Sequence, residues 1–224
     1  LGWELEYLTE YATATVLMFA ALLGFGWALK WLARELYAMP EWLAWALPAA
    51  GMWVLPPFFV RGTHYSYDFV QLLIFALLLG AMAKRRWLLF YVLFVIGMFN
   101  KETTALISLI FVLYMIGRLS RRALVTHVGA QWGGAVTIKA LLGVWFAGNP
   151  GSVVEDHVLI NLYNALLRPY DLAAVVVVVA LLALALKDYA CKPRLLLCGL
   201  AIAIPMGALY ATLGTYGEIR VFYE

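Results

Sequence analysis

The stretch KRRWLLFYVLFVIGMFNKETTALISLIFVLYMIGR, residues 84–118, decides how the whole chain is threaded. Two apolar runs flank the polar triplet Asn100, Lys101 and Glu102, and a basic cluster stands at each outer end. As one continuous helix, Trp87–Gly117 would be roughly 46 Å long, against a bilayer core of about 30 Å. It would also carry three polar side chains at its centre. As a hairpin, each arm is about 20–22 Å. Lys84, Arg85 and Arg86 precede the stretch, and Arg118, Arg121 and Arg122 follow it. Positive clusters stay cytoplasmic. A hairpin puts both on one side of a membrane, so the spacing predicts a hairpin. Its short arms hold the Asn-Lys-Glu turn in a recess below the outer surface, or thin the bilayer locally.

Composition supplies the solvent. Of 224 residues, 65% are hydrophobic, with a mean hydropathy of +0.88. Soluble domains average about 45–50% apolar residues, so the excess implies a lipid environment. Backbone groups in lipid must bond within the chain, which selects helices. The expected fold is an all-α, polytopic transmembrane bundle, read as a single domain over 1–224 and as a piece of a longer protein. About eight spans are expected. They are Tyr11–Lys30, Glu41–Val60, Asp68–Ala83, Trp87–Phe99, Thr103–Gly117, Gly129–Ala147, Leu172–Leu186 and Leu195–Leu213. Val153–Leu167 has helical apolar spacing suited to a helix lying on the membrane surface.

Working outward from the hairpin, alternation assigns sides. Cytoplasmic segments hold eleven basic residues, namely Lys30, Arg34, the six flanking the hairpin, Lys187, Lys192 and Arg194, opposed by Glu35, Glu41 and Asp188. The external side holds four, Arg61, Lys101, Arg168 and Arg220, with ten acidic residues. Those acids are Glu4, Glu6, Glu10, Asp68, Glu102, Glu155, Asp156, Asp171, Glu218 and Glu224. The net charge of +3 therefore reflects sidedness, and no nucleic-acid partner is expected. Cys191 and Cys198 would lie about 10 Å apart on a helix, too far for a disulfide. No metal-ligand cluster appears, and no cofactor is required.

Polar groups concentrate in four external segments: residues 61–68, 100–103, 148–171 and 217–220. Asp68 and Glu102 are the candidate catalytic carboxylates. Asp68 could equally cap its helix, and Glu102 could simply complement a helix dipole. Arg61, His64, Asn100, Lys101, Glu218 and Arg220 are candidate substrate-binding residues. His127 and His157 read as loop or interfacial residues, and Lys139 as a snorkelling one. Cations at an interface suit a phosphate. A carboxylate nearby can accept a proton from an attacking hydroxyl or stabilise positive charge at a reacting sugar.

Two short motifs carry a resemblance. Phe99-Asn-Lys-Glu-Thr-Thr-Ala105 and Gly217-Glu-Ile-Arg-Val-Phe-Tyr-Glu224 resemble segments of bacterial polytopic glycosyltransferases of the GT-C type. The resemblance implies an integral protein of the bacterial inner membrane. It would transfer a sugar from a polyprenyl-phosphate carrier, on the non-cytoplasmic face, to a glycan, lipid or protein acceptor. In that superfamily a principal carboxylate lies in the first external loop. That loop is expected upstream of Leu1, and Glu4, Glu6 and Glu10 do not match its motif. Glu102 would then support Lys101, which would hold the donor phosphate. Two other readings stay open: a transporter or flippase for a lipid or polar solute, and a non-catalytic subunit of an envelope complex.

Overall fold

A computed structural model describes residues 2–54, 66–148, 158–167 and 172–213. The described residues are helical, with no strand. The all-α expectation stands. The helices are α1 (Gly2–Leu36), α2 (Glu41–Val54), α3 (Ser66–Ala83), α4 (Trp87–Asn100), α5 (Ile107–Met115), α6 (Arg121–Trp145), α7 (Val158–Leu167), α8 (Leu172–Leu186), α9 (Arg194–Leu200) and α10 (Ala203–Leu213). Short 3-10 turns cover Glu102–Leu106 and Tyr189–Cys191. The chain divides into two compact units, one holding α1–α4 through Ala105 and the other holding the elements from Leu106 onward.

The expected number of spans needs correcting. Among the described residues, one helix is long and apolar enough to cross a membrane by itself, within α1 at Tyr7–Leu36. The others fall short for local reasons. Of Glu41–Val60, the described part, Glu41–Val54, is helical with Pro48 inside it removing a backbone donor, and residues 55–60 lie outside the described residues. Thr103–Gly117 opens with a 3-10 turn, leaving nine residues of α-helix. Leu195–Leu213 is interrupted at Ala201 and Ile202, because Pro205 lacks the N–H that would continue the ladder to Ala201. Helix α6 has the length, at 25 residues, but it begins with Arg121 and Arg122 and carries Gln131 and Lys139. Leu172–Leu186 is found as expected, and the surface-helix segment is helical over Val158–Leu167.

In the first unit, α1 buries Ala21, Phe25, Ala28 and Leu32, a stripe at helical spacing. It meets α3 at points that share one offset. A Cβ on Gly24 would touch Leu73, Trp31 covers Gly80, and Glu35 pairs with Lys84 at 2.8 Å. A constant offset means that α1 and α3 run parallel. Short turns make α2 antiparallel to α1 and α4 antiparallel to α3. Helix α3, flanked by α1 and α4, is buried on both sides, from Leu72 to Met82.

The ionic end of this unit is the predicted cytoplasmic one. Lys30 donates to Glu41 at 2.8 Å and lies over the Trp45 ring, while Arg34 approaches Glu41 at 3.7 Å. The Lys30 hydrogen bond and charge, with Arg34 adding, hold the exposed Glu41 carboxyl below its ordinary range. After α3, Arg86 N–H donates to Ala81 and Arg85 N–H to Met82, with Arg85 left-handed at φ 53°. That is a Schellman stop with an arginine where glycine is usual.

The second unit repeats the pattern. Phe111 on α5 meets the His127 ring of α6 at 5.4 Å, so these helices are antiparallel across the turn at 116–120. Gly117, at φ 76°, takes the third position of a type II turn closed by Arg118 N–H on Met115. Arg194, at the start of α9, donates to the carbonyls of Leu113 and Ile116, each at 3.0 Å. It thus serves the last turn of α5, where unpaired carbonyls collect. The Arg118 turn and the segment ending at Arg194 therefore occupy one end of this unit.

Candidate functional site

Opposite the ionic end of the first unit, α3 begins and α4 stops. Helix α4 is apolar from Trp87 to Phe99 and buries Phe90, Leu93, Phe94, Gly97 and Met98 against its neighbours. It ends at Asn100. Lys101 is extended, at φ −156° and ψ 135°, and its N–H closes on Gly97 at 2.8 Å. A 3-10 turn starts at once, with Thr104 N–H on the Lys101 carbonyl at 3.1 Å. The break at the Asn-Lys-Glu triplet is therefore present, as the sequence predicted.

What fixes the break is a chain of polar side chains. The Lys101 ammonium donates to Asp68 Oδ1 at 3.2 Å. Asn100 Nδ2 donates to Gln71 Oε1 at 2.9 Å, and Gln71 Nε2 donates to Thr104 Oγ1 at 2.8 Å. Asp68 and Gln71 lie about one turn apart on α3, so both aim at the same neighbour. Gln71 and Thr104 are fully buried. A buried amide without partners is costly; here both ends of the Gln71 amide are used. Gly97 makes room for this arrangement. A Cβ there would stand 2.7 Å from Thr104 Cγ2 and 3.0 Å from Ile74 Cγ2, so only glycine lets the 3-10 turn fold back onto α4.

The charges also match the backbone. Asp68 is in the first turn of α3, where the helix dipole favours an anion. Lys101 caps the C-terminus of α4, where a cation is favoured. Asp68 is the third residue of the helix that starts at Ser66, so it is a first-turn acid rather than the capping residue itself. The Asp68 side chain is 6% exposed and that of Lys101 is 24% exposed, so the cation is the member a ligand can reach. Glu102 opens the 3-10 turn and is exposed.

Of the residues singled out from sequence, the structure gathers Asp68, Asn100 and Lys101 at one point, with Glu102 adjoining. Arg61, His64, His157, Arg168, Glu218 and Arg220 lie outside the described residues. Lys139 is exposed on α6. Gln71, Thr104 and Gly97 were missed. Gln71 had a signal, as the lone amide in the apolar run from Phe69 to Ala83. Among the described residues, no three His, Cys, Asp or Glu side chains gather as a metal centre requires. Chemically, the cluster can present one ammonium to an anion, with a carboxylate behind it. Comparison with family models, with curated proteins and with solved structures finds no match to this chain.

Proposed function

We propose that this chain belongs to an integral, multi-pass membrane glycosyltransferase. It would use a polyprenyl-phosphate-linked sugar donor on the non-cytoplasmic face, and its eight apolar segments would embed in the bilayer, the shorter ones by local thinning. The observation that carries this reading is the Asp68–Lys101 pair, at 3.2 Å, at the end of the first unit opposite its basic turns. By the positive-inside rule those turns are cytoplasmic, so the pair belongs to the outer face. Lys101 takes the donor phosphate through a charge-assisted bond. Asp68 and Glu102 supply negative charge near the reacting sugar. Arg61, His64, Glu218 and Arg220 remain candidates for the rest of the donor site.

The test is a lipid-linked sugar transfer assay on the intact protein in membranes. Lys101→Met should reduce transfer at least tenfold per folded molecule, a larger loss than any fall in melting temperature accounts for. Full transfer by that variant would refute the assignment. A second reading, transport of a lipid or polar solute, draws on the same observation, because a partly buried ion pair between helices also suits an ion-coupled carrier. Solute flux in proteoliposomes without sugar transfer would favour it.

A further inference from the structure

Asp68 and Lys101 do not depend on each other alone, since each also sits at the helix end that favours its charge. The ammonium can therefore change partners without leaving an uncompensated charge behind. The carboxylate is the deeper member and the ammonium the reachable one, so an anion bonding to Lys101 arrives with the Asp68 carboxylate close behind the same nitrogen. Like charges at such range repel, and in proportion to the charge on the incoming group.

We propose that Asp68 is an exchangeable counter-ion that tunes the Lys101 site by ligand charge, weakening its hold on a phosphomonoester more than on a phosphodiester. A phosphodiester carries one negative charge. A phosphomonoester has a second ionisation near pH 6 and approaches two charges at neutral pH. The inference rests on the reading of Lys101 as a phosphate ligand. Under that reading the difference has a use. A carrier-linked sugar is a phosphodiester, and the carrier left after sugar transfer is a phosphomonoester. Asp68 then weakens the hold on the spent carrier more than on the donor, which speeds its release. When the carrier leaves, the ammonium returns to the carboxylate.

The experiment is equilibrium binding to the intact protein in neutral detergent at pH 8. The probes are farnesyl phosphate as monoester, its methyl ester as diester, farnesol, and inorganic phosphate. Asp68→Asn should strengthen monoester binding about tenfold and diester binding by a smaller factor, so that the monoester gains relative to the diester. Asp68→Ser, a small acceptor compatible with a first helical turn, is the second variant. An unchanged ratio in both variants overturns the proposal while leaving Lys101 as a phosphate ligand. Failure of both to fold also overturns it, because the pair is then a structural lock. Lys101→Met should lose both esters. If it keeps both, the phosphate reading itself falls. Inorganic phosphate separates the sources: binding equal to farnesyl phosphate shows a free-anion site, and binding of farnesol equal to its phosphate shows that the lipid tail alone is recognised.

Discussion

At the scale of single residues, the cluster is built on what is absent as much as on what is present. Gly80 and Gly97 admit Trp31 and Thr104 respectively. A Cβ at Gly80 would lie 2.1 Å from the Trp31 ring, so Gly80→Ala should push the ring out and separate α1 from α3. The expected cost is about 1–3 kcal/mol, read as a lower melting temperature in detergent. Gln71→Leu should cost a similar amount, about 1–3 kcal/mol, because Asn100 and Thr104 lose a buried partner. Arg85→Gly should act the other way, relieving a left-handed arginine and gaining up to about 1 kcal/mol. Of these residues the sequence exposed the charged ones. Asp68, Lys101 and Glu102 stand out in an apolar chain on cost alone. Gly97 did not, because a glycine admitting a contact across a helix break is indistinguishable, in one sequence, from a glycine merely tolerated in lipid.

At the scale of elements, apolar runs located the helices well where charges bounded them. Helix α4 is one residue longer than expected, and α8 matches its limits. Where no charge interrupts the run, local backbone chemistry decided instead, and it was harder to read. Pro205 splits the last apolar run, and Thr104 draws the start of the Thr103–Gly117 arm into a 3-10 turn. The α5–α6 pair shows a further feature. Ser108 is one turn before Phe111, and Gln131 is one turn past His127, so they stand abreast on the two helices. Both are buried, and the Ser108 hydroxyl and both ends of the Gln131 amide have no hydrogen-bond partner. Gln131→Leu, similar in volume, should therefore stabilise the protein by about 1–3 kcal/mol. A fall in melting temperature would mean that the amide is engaged in the membrane. Arg194→Ala should loosen the end of α5, seen as faster amide exchange at Leu113–Leu119, since it removes two bonds to terminal carbonyls.

At the scale of the molecule, the charge asymmetry read from sequence reappears as geometry within each unit. In the first, Lys30, Arg34 and Lys84 pair with Glu41 and Glu35 at one end, and the Asp68–Lys101 pair stands at the other. In the second, the turn at Arg118 and the start of α9 meet. The clustering of charge at helix ends was legible because Lys and Arg are costly within long apolar runs and so collect where those runs stop. Single cysteines at positions 85 and 120 should resist a membrane-impermeant maleimide added from outside, and one at 102 should react. The reverse pattern would overturn the topology. The number of independent spans was not legible, because hydropathy records what lipid permits and says nothing of the proline, glycine and hydrogen-bonded turns that interrupt a helix.

The parallel pairing of α1 with α3 has a consequence for how the chain is made. The residues that cover Gly24, Trp31 and Glu35 are Leu73, Gly80 and Lys84, and they leave the ribosome well after α1 is complete. Helix α1 must wait with its α3-facing side uncovered. The α3–α4 hairpin, by contrast, can close over a three-residue turn as soon as it emerges. Assembly of this unit is then a late capture of an early helix. A stalled nascent chain with residues 1–54 outside the ribosome should show α1 open to proteolysis or chaperone crosslinking, and one with residues 1–105 outside should show it protected.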